Sequence, residues 1–244
     1  MTEPESRERA VLDLLDNWPW DLGGVLIGGY AVLAYGPPRY SDDVDVVIPN
    51  AAAAQVRGWL LTRGFRRERY TIPNPENYEG QVERYRSAEV VLDLLVGAVR
   101  DRTAGVDLPE EWISRRARRR ALETLSGRTS RPVAIARPEA VWALKLQSGR
   151  DMDLADLFAI SDEPTDLDEV REIFHRLATL SLCQKLGSVR SRLKERKLLE
   201  DSLSRRGLGS PKIPRNLRRW ERFVTMVDSI ILPLLDGTGP KQRD

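Results

Sequence analysis

The first half of the chain combines two spacings of apolar positions. Short runs in which apolar residues alternate or follow one another predict strands, at residues 25–27, 43–48, 81–86 and 90–96. Apolar residues three and four apart predict helices, at residues 5–17, 30–35 and 50–63. Asn50 is the expected N-cap of the last helix and Gly64 its expected end. Gly28 and Gly29 predict a turn between the first strand and the short helix.

The second half is almost entirely helical in its pattern. A hairpin is expected first, with strands at residues 121–125 and 132–136 around a turn at 126–130. Pro138 suits the first position of a helix. Further helical patterns follow, at residues 151–160, 166–180, 182–193 and 217–231. We predict an α+β (α/β) fold, with a mixed sheet flanked by helices in residues 1–136 and a helical domain in residues 137–244.

Composition limits the chemistry that this chain can perform. Cys183 is the only cysteine and His175 the only histidine, which excludes an intramolecular disulfide, a zinc site of several thiolates and any mechanism with two histidines. The N-terminus lacks the apolar core of a signal peptide, and the longest apolar stretch, residues 229–235, is too short to span a bilayer. We therefore expect a cytoplasmic protein. The net charge of +2 does not by itself indicate a nucleic-acid partner.

Candidate catalytic residues concentrate between residues 25 and 48. Gly28 and Gly29 lack side chains and would let a triphosphate approach the backbone, at the N-terminus of the helix that follows. Asp43 and Asp45 are two apart on a strand and leave the same face, where a divalent cation would relieve their repulsion. Asp93 lies in an apolar strand, where an ionised carboxylate is costly unless it is paired or bound to metal. Beside the other two, it would complete a site for two Mg²⁺ ions.

The chain contains two glycines, then thirteen residues, then Asp-Val-Asp. This pattern resembles the signature of the DNA polymerase beta-like nucleotidyltransferase superfamily. Within it, the chain resembles the AbiEii/AbiGii-type toxin nucleotidyltransferases. Their Arg-x-Thr-x-Asp-Ile-Asp motif corresponds here to Arg39, Ser41, Asp43 and Asp45. Their third carboxylate corresponds to Asp93. A later helical motif corresponds to Lys145, Arg150, Asp153 and Asp156, with Met152 in place of the usual lysine. The resemblance covers roughly the first two thirds of the chain, about the length of one catalytic domain.

The resemblance implies a nucleotidyltransferase fold and a two-metal mechanism. The implied metal ligands are Asp43, Asp45 and Asp93, and with Lys145 they are the implied catalytic residues. The implied ligands of the nucleoside triphosphate are Gly28, Gly29, Arg39, Ser41, Lys145, Arg150 and Asp156. Residues 1–136 would then be the catalytic domain, and the helical domain would add Lys145 and its neighbours. The acceptor hydroxyl would attack the α-phosphorus in line, and pyrophosphate would leave.

The acceptor and the biological role stay open at this stage. The resemblance and the arginine run at residues 115–120 favour RNA, at the 3′ end of tRNA, as for a toxin with a cognate antitoxin protein. The second hypothesis is an acceptor that is a protein or an aminoglycoside-like small molecule, although the basic run argues against an acidic pocket for a polycation. The third is an inactive binding or antitoxin partner with the same fold, against which the intact set of three aspartates argues.

Overall fold

The computed structural model describes residues 3–68, 81–101, 105–195 and 214–237. The chain divides into two compact units, one of Met1–Arg100 with Asp107–Arg137 and one of Asp101–Val106 with Pro138–Asp244. The boundary between the predicted domains, at residue 136, stays a prediction. The sequence also predicts a loop at residues 73–80 and a connection between helices at 207–214. The loop and nearly all of the connection lie outside the described residues. None of the described helices combines the length and the apolar character needed to cross a membrane.

The first unit contains all of the described strands. They are β1 (Val25–Ile27), β2 (Val44–Ile48), β3 (Arg66–Arg67), β4 (Gln81–Arg86), β5 (Val91–Val96), β6 (Ala98–Arg100), β7 (Asp107–Pro109), β8 (Arg118–Arg120) and β9 (Val133–Ile135). Its helices are α1 (Glu3–Asp16), α2 (Gly28–Leu33), α3 (Ala53–Thr62) and α4 (Glu110–Ser114), with 3-10 turns at Trp20–Leu22 and Asn50–Ala52.

Seven strands form one mixed sheet in the order β3-β4-β5-β2-β1-β9-β8. The pairs β2–β5 and β1–β9 are parallel and the other pairs are antiparallel, while β6 and β7 form a separate two-stranded sheet. The central strands β2 and β5 are largely buried, because their residues are nearly all apolar. The predicted fold class, a mixed sheet flanked by helices with a helical C-terminal part, is confirmed.

Glu83 attaches the outer strands to the neighbouring helix. Its side chain is 1% exposed and accepts hydrogen bonds from Arg57 of α3 and from the Tyr85 hydroxyl, and Arg67 of β3 lies 3.3 Å away. Burial alone would raise the pKa of Glu83, but Arg57 and Tyr85 stabilise the ionised form and lower the pKa overall. One buried charge thus ties β3, β4 and α3 together.

The second unit is helical. Its helices are α5 (Pro138–Ser148), α6 (Asp151–Ala159), α7 (Leu167–Arg176), α8 (Leu180–Leu193) and α9 (Pro214–Leu235). An aromatic cluster forms part of its core, in which Phe223 of α9 lies 5.8 Å from Trp142 and 5.7 Å from Phe158 between ring centroids. Asp166 caps α7 by accepting from the N–H groups of Asp168 and Glu169. The amphipathic patterns at residues 182–193 and 217–231 are confirmed as α8 and α9.

Several predicted boundaries were wrong. The short helix begins at Gly28 rather than Tyr30, so the glycine pair lies in its first turn. The hairpin pairs β9 with Arg118–Arg120, not with residues 121–125, which contribute only the bridge between Glu123 and Thr129. The Asn50 side chain caps no helix, because a 3-10 turn precedes α3. The predicted helix at 166–180 ends at Arg176, and a new helix starts at Leu180.

Candidate active site

Three carboxylates meet at one end of the paired strands β2 and β5. Asp45 and Asp93 are direct register partners, and register partners present their side chains on the same face of a sheet. Asp43 lies just before β2, which begins at Val44 and not at the predicted residue 43. Each of the three offers a carboxylate oxygen, and these atoms lie within 4.8 Å of one another. An all-oxygen donor set of this kind suits Mg²⁺.

Asp93 is the most buried of the three. It is 8% exposed, whereas Asp43 and Asp45 are half-buried at the same end of the strands. The site therefore has a protected side at β5 and an accessible side at β2. A divalent ion held there would contact protein oxygens and still leave positions for substrate oxygens, as Mg²⁺ sites with phosphate ligands require.

Gly28 and Gly29 pack directly against residues of this site. A Cβ on Gly28, whose φ is +63°, would lie 1.9 Å from Oδ2 of Asp45. A Cβ on Gly29 would lie 2.1 Å from the Ser41 hydroxyl oxygen and 2.8 Å from a guanidinium nitrogen of Arg39. We predicted that these glycines make room for a triphosphate. The space that their missing side chains leave is taken up by the protein's own polar groups, so they first of all let α2 pack against the site.

Ser41 and Arg39 lie in the segment that leads into β2. The Ser41 hydroxyl, which is buried, lies 3.2 Å from the carbonyl oxygen of Asp43, to which it donates. Arg39 donates to the carbonyl oxygen of Tyr40 at 2.7 Å. Both contacts shape the backbone that carries Asp43. The adjacent Asp42 has a side chain that is 102% exposed.

Arg84 is a further residue of the site, and no sequence pattern indicates it. It is the register partner of Asp93 on β4. Its Nε and Nη2 atoms donate to the two carboxylate oxygens of Asp93 at 2.7 and 2.6 Å, and Nη2 lies 3.7 Å from Oδ2 of Asp43. This is a bidentate, charge-assisted pair. The periodicity of β4 predicts a strand, but only the register between β4 and β5 reveals which residue Arg84 faces.

The remaining predicted site residues, Lys145, Arg150 and Asp156, belong to the second unit. Lys145 Nζ lies 2.7 Å from Asp153 Oδ1 and 2.9 Å from Asp156 Oδ2, and all three side chains are buried. Arg150 Nε donates to Asp153 at 2.7 Å. Asp156, which the resemblance implies to be a nucleotide ligand, contacts Lys145.

Asp153 is the centre of this second cluster. Burial would raise its pKa, but Lys145, Arg150 and the Ser148 hydroxyl stabilise the carboxylate and lower the pKa to about 2. The group is therefore ionised at neutral pH and pairs with a buried lysine. Ser148 was not among the predicted residues, because a hydroxyl at a helix end carries no distinctive sequence signal.

Comparison with known proteins finds similar solved structures. No protein-family model and no curated protein matches the chain. Among solved structures, a proposed nucleotidyltransferase of Helicobacter pylori is similar at 18% identity and a TM-score of 0.39, over 97% of this chain and 96% of that one. The structure of ANT(2″)-Ia with adenylyl-2″-tobramycin is similar at 18% identity and a TM-score of 0.36, over 77% of this chain and 98% of that one. Likenesses at these scores carry no argument about activity, and membership of the AbiEii/AbiGii type stays a prediction.

Proposed function

We propose that the protein is a metal-dependent nucleotidyltransferase, which transfers a nucleoside monophosphate from a nucleoside triphosphate to an acceptor hydroxyl. The observation that carries the proposal is the convergence of Asp43, Asp45 and Asp93 within 4.8 Å, with the glycine turn of α2 packed against Asp45. Three carboxylates so close repel one another unless cations lie between them. Bound divalent ions supply neutralisation of phosphate charge and alignment of the attacking and leaving oxygens in such sites.

The proposed reaction is an in-line displacement at the α-phosphorus. A bond forms between the acceptor oxygen and the α-phosphorus, the bond to the β-phosphate oxygen breaks, and pyrophosphate leaves with the electron pair. In this proposal Asp93, the most buried of the three carboxylates, takes the proton of the acceptor hydroxyl. Asp43 and Asp45 would hold the ions, and Gly28 packs against Asp45. The protein contributes position and charge rather than a covalent intermediate.

The roles of Lys145, Arg150 and Asp156 follow from the resemblance. In this proposal Lys145 contacts the β and γ phosphates, Arg150 adds a second cation, and Asp156 keeps the lysine in one orientation. The contacts within the second unit support the orienting role, because Lys145 is held by two carboxylates at 2.7 and 2.9 Å.

RNA is the acceptor that the charge distribution favours. The edge strand β8 is formed entirely of arginines, and Arg116, Arg118 and Arg119 are exposed. Strand β8 lies three strand spacings from β2 in the same sheet, about 14 Å, which is a distance that a few nucleotides cover. Arginines along an edge suit the phosphate backbone of an extended chain better than a polycationic small molecule. The 3′ end of tRNA, a toxin role and an antitoxin partner are parts of this proposal.

Transfer from differently labelled triphosphates tests the function. The protein is incubated with Mg²⁺, total tRNA and, in parallel, tobramycin, using each nucleoside triphosphate labelled either at the α or at the γ position. We expect α label on RNA, no γ label on RNA, and no product when EDTA is present or Asp45 is replaced by Asn. Absence of α label on every acceptor contradicts the transferase proposal. Label on tobramycin or on protein would keep the transferase and refute the RNA acceptor.

A further inference from the structure

We infer that Arg84 is a latch on the carboxylate triad, which is the group of Asp43, Asp45 and Asp93. By a latch we mean that Arg84 neutralises Asp93 when no divalent ion is bound and must release Asp93 when the site binds a divalent ion. The inference rests on the proposed function, since it assigns metal binding to the triad. It concerns a residue for which the sequence predicted no role. The Arg84 guanidinium occupies the position of a counter-ion. It donates to both carboxylate oxygens of Asp93, and its Nη2 atom lies 3.7 Å from Oδ2 of Asp43.

The geometry sets Arg84 in competition with a metal ion. Both oxygens of Asp93 accept from the same guanidinium, at 2.7 and 2.6 Å. A divalent cation that used those oxygens would bring two positive groups together at one carboxylate, where they repel each other. Because Asp93 is only 8% exposed, solvent screens that repulsion weakly. Metal binding and the bidentate pair therefore compete at Asp93.

The Arg84 side chain has more freedom to move than its partner Asp93. Its side chain is 29% exposed against 12% for Asp93, so the guanidinium lies on the accessible side of the pair. Strand β4 fixes the backbone through its pairing with β5 over its whole length. Release thus requires only rotation of the long side chain. The freed guanidinium stays within reach of the site, where the triphosphate is the anion that the proposed reaction brings.

Direct binding of Mn²⁺ tests the latch without relying on turnover. The free-ion signal of Mn²⁺ in electron paramagnetic resonance is titrated with wild-type protein, Arg84→Met, Arg84→Lys and Arg86→Met. Arg86 is the matched control, because it lies two residues along the same strand and pairs with Glu68 instead. Thermal unfolding of each variant confirms that it is folded. Arg84→Lys keeps the charge without the two-pronged contact and provides the test if the Met variant does not fold.

We expect Arg84→Met to lower the Kd for Mn²⁺ about tenfold or more, since it removes a charged hydrogen-bonded competitor. Arg84→Lys should give a smaller decrease, and Arg86→Met should match the wild type. An unchanged or raised Kd for Mn²⁺ in Arg84→Met overturns the latch. If the wild type still binds Mn²⁺ in that case, the proposed function stays intact. Absence of Mn²⁺ binding in all four proteins overturns both.

A second titration examines where the guanidinium goes. Mn²⁺ binding is repeated with a non-hydrolysable triphosphate. In the wild type the nucleotide should tighten Mn²⁺ binding more than in Arg84→Met, because only the wild type gains a contact to phosphate when Asp93 is released. Equal tightening in the two proteins overturns that part of the inference.

Discussion

The carboxylate of Asp45 fills the space in which a Cβ on Gly28 would lie. The ideal Cβ position is 1.9 Å from Oδ2 and 2.8 Å from Cγ of Asp45, and Gly28 has a φ of +63°. The first residue of α2 therefore packs directly against Asp45, which is a proposed metal ligand. The glycine is needed both for its backbone conformation and for its missing side chain.

Gly28→Ala should damage the site far more than the fold. The methyl group must push the Asp45 carboxylate out of place, and we expect transfer activity to fall about 100-fold, the upper range for perturbed metal ligands. Steady-state rates with α-labelled triphosphate measure this. Gly64→Ala is the matched control, because Gly64 also has a positive φ, +80°, but has no atom within 4 Å of the added methyl. Equal activities in the two variants would contradict the account.

Each carboxylate of the triad should be essential. Replacement of Asp43, Asp45 or Asp93 by Asn removes a charge that balances the ions, and transition-state stabilisation of several kcal/mol corresponds to a loss on the order of 1000-fold. Asp42→Asn is the control, because the Asp42 side chain is fully exposed and Asp42 is not part of the triad. A single Asn variant of the triad that kept wild-type activity would remove that residue from the proposed site.

The arginines of the β8 edge should contribute to RNA affinity through phosphate contacts. Replacing Arg116, Arg118 and Arg119 together by Gln should weaken binding to all RNA sequences alike. It should also lower the slope of the logarithm of the binding constant against the logarithm of the salt concentration by about 2 to 3. Filter binding at several salt concentrations measures both quantities.

The control for that variant lies at the opposite edge of the sheet. Arg63, Arg66 and Arg86 are also exposed arginines of the first unit. Of these, Arg63 pairs with Asp13 and Arg86 with Glu68. Their joint replacement by Gln should leave RNA affinity and its salt dependence nearly unchanged. Similar losses in the two triple variants would show a general effect of net charge instead of a surface at β8.

Asp153 should stabilise the second unit in a pH-dependent way. Its pKa falls from the usual 3.8 to about 2 on folding, so the stabilisation is fully present above about pH 4 and is lost as the pH falls through 2. Asp153→Asn should lower the free energy of unfolding at pH 7 by roughly 3 kcal/mol, since it leaves buried Lys145 with one carboxylate fewer. Urea unfolding at several pH values should show the difference from wild type shrinking below pH 4.

Asp151→Asn provides the comparison for this measurement. Asp151 lies in the same helix, but its side chain is exposed and pairs with Arg192 at the surface. Its replacement should cost less than about 1 kcal/mol. If Asp153→Asn were no less stable than Asp151→Asn, the buried cluster would not be the stabilising feature that its geometry indicates.

The apolar pattern was sufficient to predict the strands that carry the triad. β2 and β5 each begin one residue later than predicted, and β1 and β4 match their predicted bounds. The pattern is clear in β2 and β5 because buried central strands have strongly apolar sequences. The pattern did not indicate β8, since an edge strand can be fully polar when its faces are exposed. The short strands β6 and β7 and the helix α4 were also missed, because elements of three to five residues carry too little periodicity.

The sequence also predicted the triad itself but not its counter-ion. Asp43, Asp45 and Asp93 stand out as acids in or beside apolar strands. Arg84 lies in a strand with several charged residues, and its pairing with Asp93 depends on long-range register. The packing of Gly28 on Asp45 was likewise beyond prediction, because it depends on where α2 lies against β2.

Anomalous diffraction from crystals grown with Mn²⁺ and a non-hydrolysable nucleoside triphosphate shows whether the three aspartates bind metal. Two anomalous peaks should lie about 3.5–4 Å apart. Asp43 and Asp45 should coordinate both ions, Asp93 should coordinate one of them, and Arg84 should no longer be paired with Asp93. Triphosphate and Mn²⁺ bound elsewhere, with no peak at the three aspartates, would contradict the proposed metal site.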